Sequence, residues 1–454
     1  FSLRETNKEE RHMKKFLALL LAMTMAGSLV ACGPKAPAEP SPEVSPSEEV
    51  ATPVDITMWT YPIGNWKDEA TVNGIIAKFN EKHPEIKVSV QYLDYKSGDD
   101  QVMSALNGGT APDIIMEGPE RLVTNWGKAG KMVDLSDLWT AEVTADITAT
   151  SQAVVDACKA ADGAFYEYPL CMTTHCMAIN KEVFEKADAL QYIDMENRTW
   201  TTDGFLKAIA AVKAAGEVQT PGIVYCGGQG GDQGTRALVN NLYSGKYTTA
   251  DHTGYTANSA ENVKALATLA EQVKAGNLSA NASFAAADEL QAFANGTAAM
   301  SFCWNASNEA QYAEQVAFTP YALAFPSDDG KPELCGGIWG FGVFNNGDDA
   351  KIAAAKTFIQ YVSDDPDQAA NSVSITGFFP TRASLGNVYA GTEDEARMAG
   401  FTAMMPYLGD YYNVTGGWTE QRTAWWNMLQ QVFGGTDAQT AADEFVATAN
   451  AAIK

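Results

Sequence analysis

A strand pattern, a helix pattern and a second strand pattern follow one another between Val54 and Leu93, and this order restricts the fold more than any other feature of the chain. "VDITMWTY" alternates and is rich in β-formers, and "DEATVNGIIAKFNEK" brings Val72, Ile75, Ile76 and Phe79 onto one helical stripe. His83-Pro84 stops that helix, and "EIKVSVQYL" then sets Ile86, Val88, Val90 and Tyr92 on one face. Two strands joined through a helix pair in parallel, because an antiparallel pair would need only a tight turn. The expected class is α/β.

The pattern recurs downstream. "DQVMSALNGG" ends at glycines suited to a helix C-cap, and "APDIIME" reads as a short buried strand. "TWTTDGFLKAIAAVKAAG" is a capped helix with Phe205, Ile209 and Val212 inward, and "DDAKIAAAKTFIQYVSDD" is another with Ile352, Phe358, Ile359 and Val362 inward. No short repeat of solenoid or propeller period interrupts them. The segment 54–454 is larger than one hydrophobic core usually serves, so two domains are expected.

The stretch before it has a different character. "MKKFLALLLAMTMAGSLVA", Met13 to Ala31, places two lysines ahead of an apolar run too short to span a bilayer comfortably, as a secretory signal does. Residues 1–12 do not read as the start of such a signal and look like translated upstream sequence or an expression remnant. Residues 33–53 hold six prolines and four glutamates and almost nothing large and apolar, so they cannot offset their ordering entropy. Extended as polyproline II, this tract reaches roughly 65 Å at about 3.1 Å per residue and reads as a tether.

Charge narrows the function classes. The chain has 31 basic and 56 acidic residues, a net −25; five basic and three acidic residues among the first 31 leave 26 against 53, or −27. So acidic a surface repels phosphate backbones and argues against nucleic acid, and against an anionic ligand held by charge alone. Six cysteines follow the tether, Cys158, Cys171, Cys176, Cys226, Cys303 and Cys335, without the dense spacing of a disulfide framework, and are expected as free, buried thiols. "CMTTHC" offers Cys171, His175 and Cys176, but no second cluster completes four zinc ligands, so no metal is expected. G-x-S-x-G, H-E-x-x-H and the Walker lysine motif are absent, and three histidines beyond the signal leave acid-base chemistry little to work with. Paired carboxylates are too abundant to exclude a glycosidase by sequence.

Several stretches carry a resemblance. "LVACG", with Cys32, resembles a bacterial lipobox, which implies a diacylglyceryl anchor on that cysteine after cleavage. "FNEKHPEIKVSV", "ALNGGTAPDIIME", "DGAFYEYPLCMTTHCMAINKEVFEKA", "TWTTDGFLKAIAAVKAAG", "FANGTAAMSFCWN" and "GGIWGFGVFNNGDDAKIAAAKTFIQYVS" followed by "GFFPTR" resemble successive landmarks of the family 1 extracellular solute-binding proteins. These are the sugar-binding lipoproteins of ABC importers related to maltose-binding protein. "ALQYIDMENR" and "CGGQGGDQG" depart from the family pattern.

The resemblance implies a two-lobed, periplasmic-binding-protein-like fold (type II) made of discontinuous lobes. Lobe one would be 54–171 with 323–380, and lobe two 172–322 with 381–454. The crossings would lie near Cys171, Phe318 to Ala322, and Pro380 to Arg382. The ligand would be a carbohydrate, the partner an ABC permease, and the protein a monomer held on the extracytoplasmic membrane face through Cys32. No cofactor is expected, and no covalent reaction. A solute touching both lobes would close them about the hinge.

Sugar binding needs flat apolar faces for pyranose C–H surfaces and planar polar groups for hydroxyls. Trp59, Tyr61 and Trp66 lie at or just beyond the carboxyl end of the first strand, where open α/β sheets present ligands. Glu117 ends another strand at the equivalent edge. Trp339 follows a double glycine that permits close backbone approach, and Tyr411 and Trp418 belong to the aromatic loop "LGDYYNVTGGWTEQR". Asp232 and Gln233 follow the glycine-rich loop, which fails the dinucleotide fingerprint because Gln233 replaces its third glycine. Trp304 and Asn305 match a family position that often faces the cleft. Arg382 is expected to be structural, and Trp425 and Trp426 to be core. The competing readings are an exported glycoside hydrolase or lyase, the same fold with another polar solute such as a glycerol phosphodiester, and a surface adhesin.

Overall fold

The computed structural model describes residues 53–95, 97–227 and 231–453. The signal, Cys32 and the tether, like Gly228 to Gly230 of the glycine-rich loop, lie outside the described residues.

The opening strand–helix–strand unit forms as its pattern requires. Strands β1 (Val54–Thr60) and β2 (Ile86–Tyr92) pair in parallel over their full length around helix α1 (Glu69–Lys82). The Asp68 carboxylate caps α1 by accepting from the Thr71 N–H, and Val72, Ile75, Ile76 and Phe79 are its buried face. Helix α2 (Gly98–Gly108) ends at Gly109 in the left-handed conformation, and β3 (Ile114–Glu117), buried throughout, joins β1 in parallel.

The sheet does not stay parallel. Its order is β11-β4-β10-β3-β1-β2, with β4 (Tyr168–Thr174), β10 (Gly336–Val343) and β11 (Phe379–Pro380) in antiparallel pairs. A second sheet of three antiparallel strands runs β8-β5-β9, from β5 (Cys176–Asn180), β8 (Met300–Trp304) and β9 (Pro320–Leu323). A short parallel pair joins β6 (Ile223–Tyr225) to β7 (Ser279–Asn281).

Sheet membership moves two of the expected crossings. β4 stays in the large sheet to Thr174 and β5 enters the second at Cys176, so the chain changes sheets at His175 rather than near Cys171. β9 pairs with β5, so Phe318 to Ala322 do not mark the return; it falls between Leu323 and Gly336. Beyond β11 the chain stays against the large sheet for several residues: Thr381 donates to the Pro169 carbonyl, Arg382 pairs with Asp364, and Ser384 donates to Asp146.

Helices on the second side include α3 (Lys181–Lys186), α4 (Thr202–Ala215), α5 (Asp232–Leu242), α6 (Ala260–Lys274), α7 (Ala286–Ala294) and α8 (Ala306–Tyr312). Helix α9 (Asp349–Asp364) covers the large sheet and buries Phe358, Ile359 and Val362, while Ile352 is only partly covered. The carboxyl-terminal helices α10 (Trp418–Phe433) and α11 (Ala438–Ala451) pack on each other and on α6, and the Trp425 indole donates to Thr235 Oγ1 on α5 at 2.9 Å. Trp425 and Trp426 are core, as expected. All six cysteines of the described residues are buried and free. No helix among the described residues is long and apolar enough to cross a membrane.

Candidate functional site

The end of β3, the middle of β10, the starts of α5, α7, α8 and α10, and the sheet crossing at His175 meet at one cleft of about 340 Å³. Of the residues singled out in the sequence, Glu117, Gln233, Asn305, Trp339 and Trp418 line it.

Trp339 is the flat apolar face. Its ring stacks on Phe378, also in the wall, at 4.8 Å and 13°. A Cβ on Gly337 would collide with the Trp339 ring, so the glycine is what lets the indole lie against its own strand. The β4–β10 register shifts between Trp339 and Gly340, and such a bulge re-aims a side chain beside a site.

The polar edge grows out of β3. Glu117 is 1% exposed; one carboxylate oxygen accepts the Gly118 N–H at 2.6 Å and the other accepts from Arg121 Nη1 at 2.8 Å. Burial pushes Glu117 up to about 8, with Glu120 and Asp99 adding to the effect and Arg121 opposing it. The short helix after β3, Pro119–Arg121, supplies Glu120 and Arg121, and the chain then runs through a π-helical turn, Leu122–Gly127, a widening often found at sites. Arg121 also holds Asp99 through Nε at 2.8 Å. Opposite, Gly64 adopts φ +53° where a Cβ would strike the Thr376 backbone, which lets the loop after β1 close against residues 375–376.

The other six candidates are placed behind the wall. Tyr61 is fully buried: its hydroxyl donates to Asp99, its ring stacks on Tyr95 at 5.2 Å, and Arg121 lies over it at 5.1 Å. Tyr411 donates to Glu120 Oε2 at 2.8 Å. Asp232 is fully buried between Arg236 and Arg422, and their charge holds its carboxyl below the ordinary value although burial alone would raise it. Each of these three therefore holds a wall residue without itself reaching the cleft.

Trp59 is a partly buried strand residue packed on the core. Trp66 is core, its indole donating to the Ser372 carbonyl and its ring edge-on to Phe341. Trp304 is 0% exposed, edge-on to Phe293 and donating to Glu309 Oε2 at 3.0 Å. The expectation that it faces the cleft is not met: its neighbours Cys303 and Asn305 line the cleft, and alternation along the chain turns Trp304 to the opposite, core side. Arg382 is structural, bound to Asp364 through Nε at 2.7 Å.

Sequence reasoning did not single out Tyr95, Glu120, Arg121, His175 as a wall residue, Asn308, Gln311, Phe378 or Arg422. Helical spacing carried a usable signal for two of them: Arg422 lies four residues after Trp418, and Asn308 three after Asn305.

A family model described as "Bacterial extracellular solute-binding protein" matches residues 74–400. The chain belongs to this family. Among solved structures, an ABC transporter solute-binding protein from Thermotoga lettingae bound with α-D-tagatose superposes with TM-score 0.70 at 20% identity, over 88% of this chain and 100% of that one. The GacH receptor of Streptomyces glaucescens, solved unliganded and with acarbose, gives 0.69 at 16% identity over 87% and 97%. An ABC substrate-binding protein of Listeria monocytogenes in complex with cycloalternan gives 0.68 at 19% identity over 88% and 98%. These likenesses show the fold, a two-lobed α/β solute-binding protein. A curated relative, an uncharacterized lipoprotein of Streptomyces antibioticus, is 27% identical over 137 residues, 30% of this chain; the match spans only 27% of that relative's length.

Proposed function

We propose that this solute-binding protein captures a carbohydrate in the cleft and delivers it to an ABC permease without changing it covalently. The observation that carries the reading is the stacked Trp339–Phe378 face in the same cleft lining as Glu117, Glu120, Arg121, Gln233 and Asn305. That is the pairing of flat apolar surface and planar hydrogen-bonding groups that a sugar ring demands. The volume lies in the range of small-molecule sites. Tagatose, acarbose and cycloalternan in structures of the same fold support the same class.

The hydrolase reading asks for a carboxylic acid and a carboxylate free to act on a glycosidic bond. Glu117 and Glu120 are instead engaged by Gly118, Arg121 and Tyr411. A thermal-shift screen against mono- and oligosaccharides tests the binding reading. A cognate sugar at a hundredfold excess over Kd stabilises the native state by about 2.7 kcal/mol. Stabilisation by no saccharide, or newly cleaved sugar ends after incubation, would overturn it.

Anchoring through Cys32 belongs to the same proposal, supported by the lipobox-like "LVACG" and by the lipoprotein relative. Cys32→Ser should move the protein from the membrane fraction to the soluble fraction with ligand affinity unchanged. Membrane retention of the variant without detergent would count against the anchor.

A further inference from the structure

Resting on the saccharide reading, we infer that the captured saccharide carries a carboxylate, a uronate, seated at the Arg422 end of the cleft. The net charge of −25 describes the whole chain, but the cleft is locally different.

Two guanidinium groups share one carboxylate there. Asp232 receives Arg236 Nε on one oxygen and Arg422 Nε on the other, each at 3.1 Å, with Asp232 and Arg236 fully buried. One positive charge is therefore uncompensated within the triad. Arg236 is enclosed by Tyr247, Tyr412 and Trp418 and donates to Asn413, whereas Arg422 stands in the cleft wall. The Arg422 guanidinium lies over the Trp418 ring at 5.1 Å, and its terminal nitrogens have no hydrogen-bond partner among the described residues, which leaves its fork for a planar acceptor.

Independent donors stand beside it. Trp418 and His175 are 6% and 8% exposed, both line the cleft, and Trp418 Nε1 and His175 Nε2 are buried without a partner. A buried donor left unmade is costly, so a ligand acceptor is the natural partner. Burial holds His175 down to about 4, with Arg236 adding, so the neutral ring offers a hydrogen bond and not a second charge. Helices α5 and α10 begin at Gly231 and Gly417, both with positive φ and without a side-chain cap, and Gly231 and Trp418 belong to the wall. Their positive ends favour the same anion.

The opposing charges set how much anion fits. Glu117 and Glu120 line the cleft near Asp99, with Arg121 among all three, and Lys67 completes the charged wall. That end suits hydroxyls and repels a second anionic group. A ring with one carboxylate satisfies both ends; a ligand anionic along its length does not.

The test is calorimetric titration of the full chain with oligogalacturonides, oligomannuronides and glucuronate-bearing xylo-oligosaccharides, each beside its carboxyl-reduced neutral counterpart. One uronate should bind about 10- to 100-fold tighter than its reduced form, the scale of a lost charge-assisted hydrogen bond. Arg422→Gln should narrow that preference to within about threefold, and Trp418→Phe, which removes only the indole N–H and keeps a ring, should narrow it by about five- to tenfold. A reduced sugar that binds as tightly as its uronate overturns this inference and leaves the saccharide reading standing. Binding of a glycerol phosphodiester and of no saccharide, or no binding by either series, overturns both.

Discussion

Arg236→Met lowers the stability of the fold by about 1.5–3 kcal/mol, the scale of losing a buried charged partner of Asp232 and the bond to Asn413 while Arg422 keeps the other Asp232 oxygen paired. The side chain is 0% exposed and is held by Asp232, by Asn413 at 2.9 Å, and by the faces of Tyr247, Tyr412 and Trp418 at 5.0 to 5.6 Å. Methionine fills much of the volume, so the loss reports charge and hydrogen bonds more than a cavity.

The pH dependence separates the two. The folded Asp232 carboxyl is held below its ordinary value of 3.8: burial would raise it, but Arg236 first and Arg422 second outweigh burial. Its stabilisation is thus fully present above the unfolded value and is lost as pH falls through the lower folded value. The deficit of Arg236→Met should be largest near neutrality and shrink in acid below about pH 4. A deficit independent of pH, followed by urea melts from pH 3 to 7, would mean that packing and not the ion triad carries the effect.

Trp304→Ala should cost about 3–5 kcal/mol of stability and leave ligand affinity within a factor of two, because it removes a large core side chain. The ring lies edge-on to Phe293 at 5.2 Å and stacks on Tyr312 at 6.4 Å, and its strand partner is Cys176. Phe293 also holds Phe318, so the cavity would open beneath α7 and the second sheet together. A folded variant of unchanged stability with weakened sugar binding would return Trp304 to the cleft.

Legibility in the sequence followed the range of the interaction. The β1–α1–β2 unit could be read because its determinants are local: an Asp68 cap, a stripe at helical spacing, and alternation in the second strand. The antiparallel entry of β10 could not, since its register with β3 and β4 joins residues far apart in the chain. The same limit governs the site. Position at a strand's carboxyl end brought Glu117 into view, and the glycine pair marked Trp339. The rule that open sheets present ligands at that edge also drew attention to Tyr61 and Trp66, which stand at the edge but face inward. Tyr61, Tyr411 and Asp232 show the commonest error, a residue of suitable chemistry that acts through a neighbour: Arg121 and Tyr95, Glu120, and Arg422 respectively. Net charge carried no information at this scale, because 56 acidic residues say nothing about which two guanidinium groups converge on Asp232.

The saccharide reading rests on Trp339 more than on any other side chain, and Trp339→Ala tests it most directly. The ring is partly exposed in the wall, stacked on Phe378, so its removal should spare the core. Titration calorimetry with the best saccharide of the screen should show one site in the native protein and affinity weaker by about 1–3 kcal/mol in the variant, with the melting temperature little changed. Equal affinity in a folded Trp339→Ala would contradict the account, since no sugar ring could then be stacked on that face.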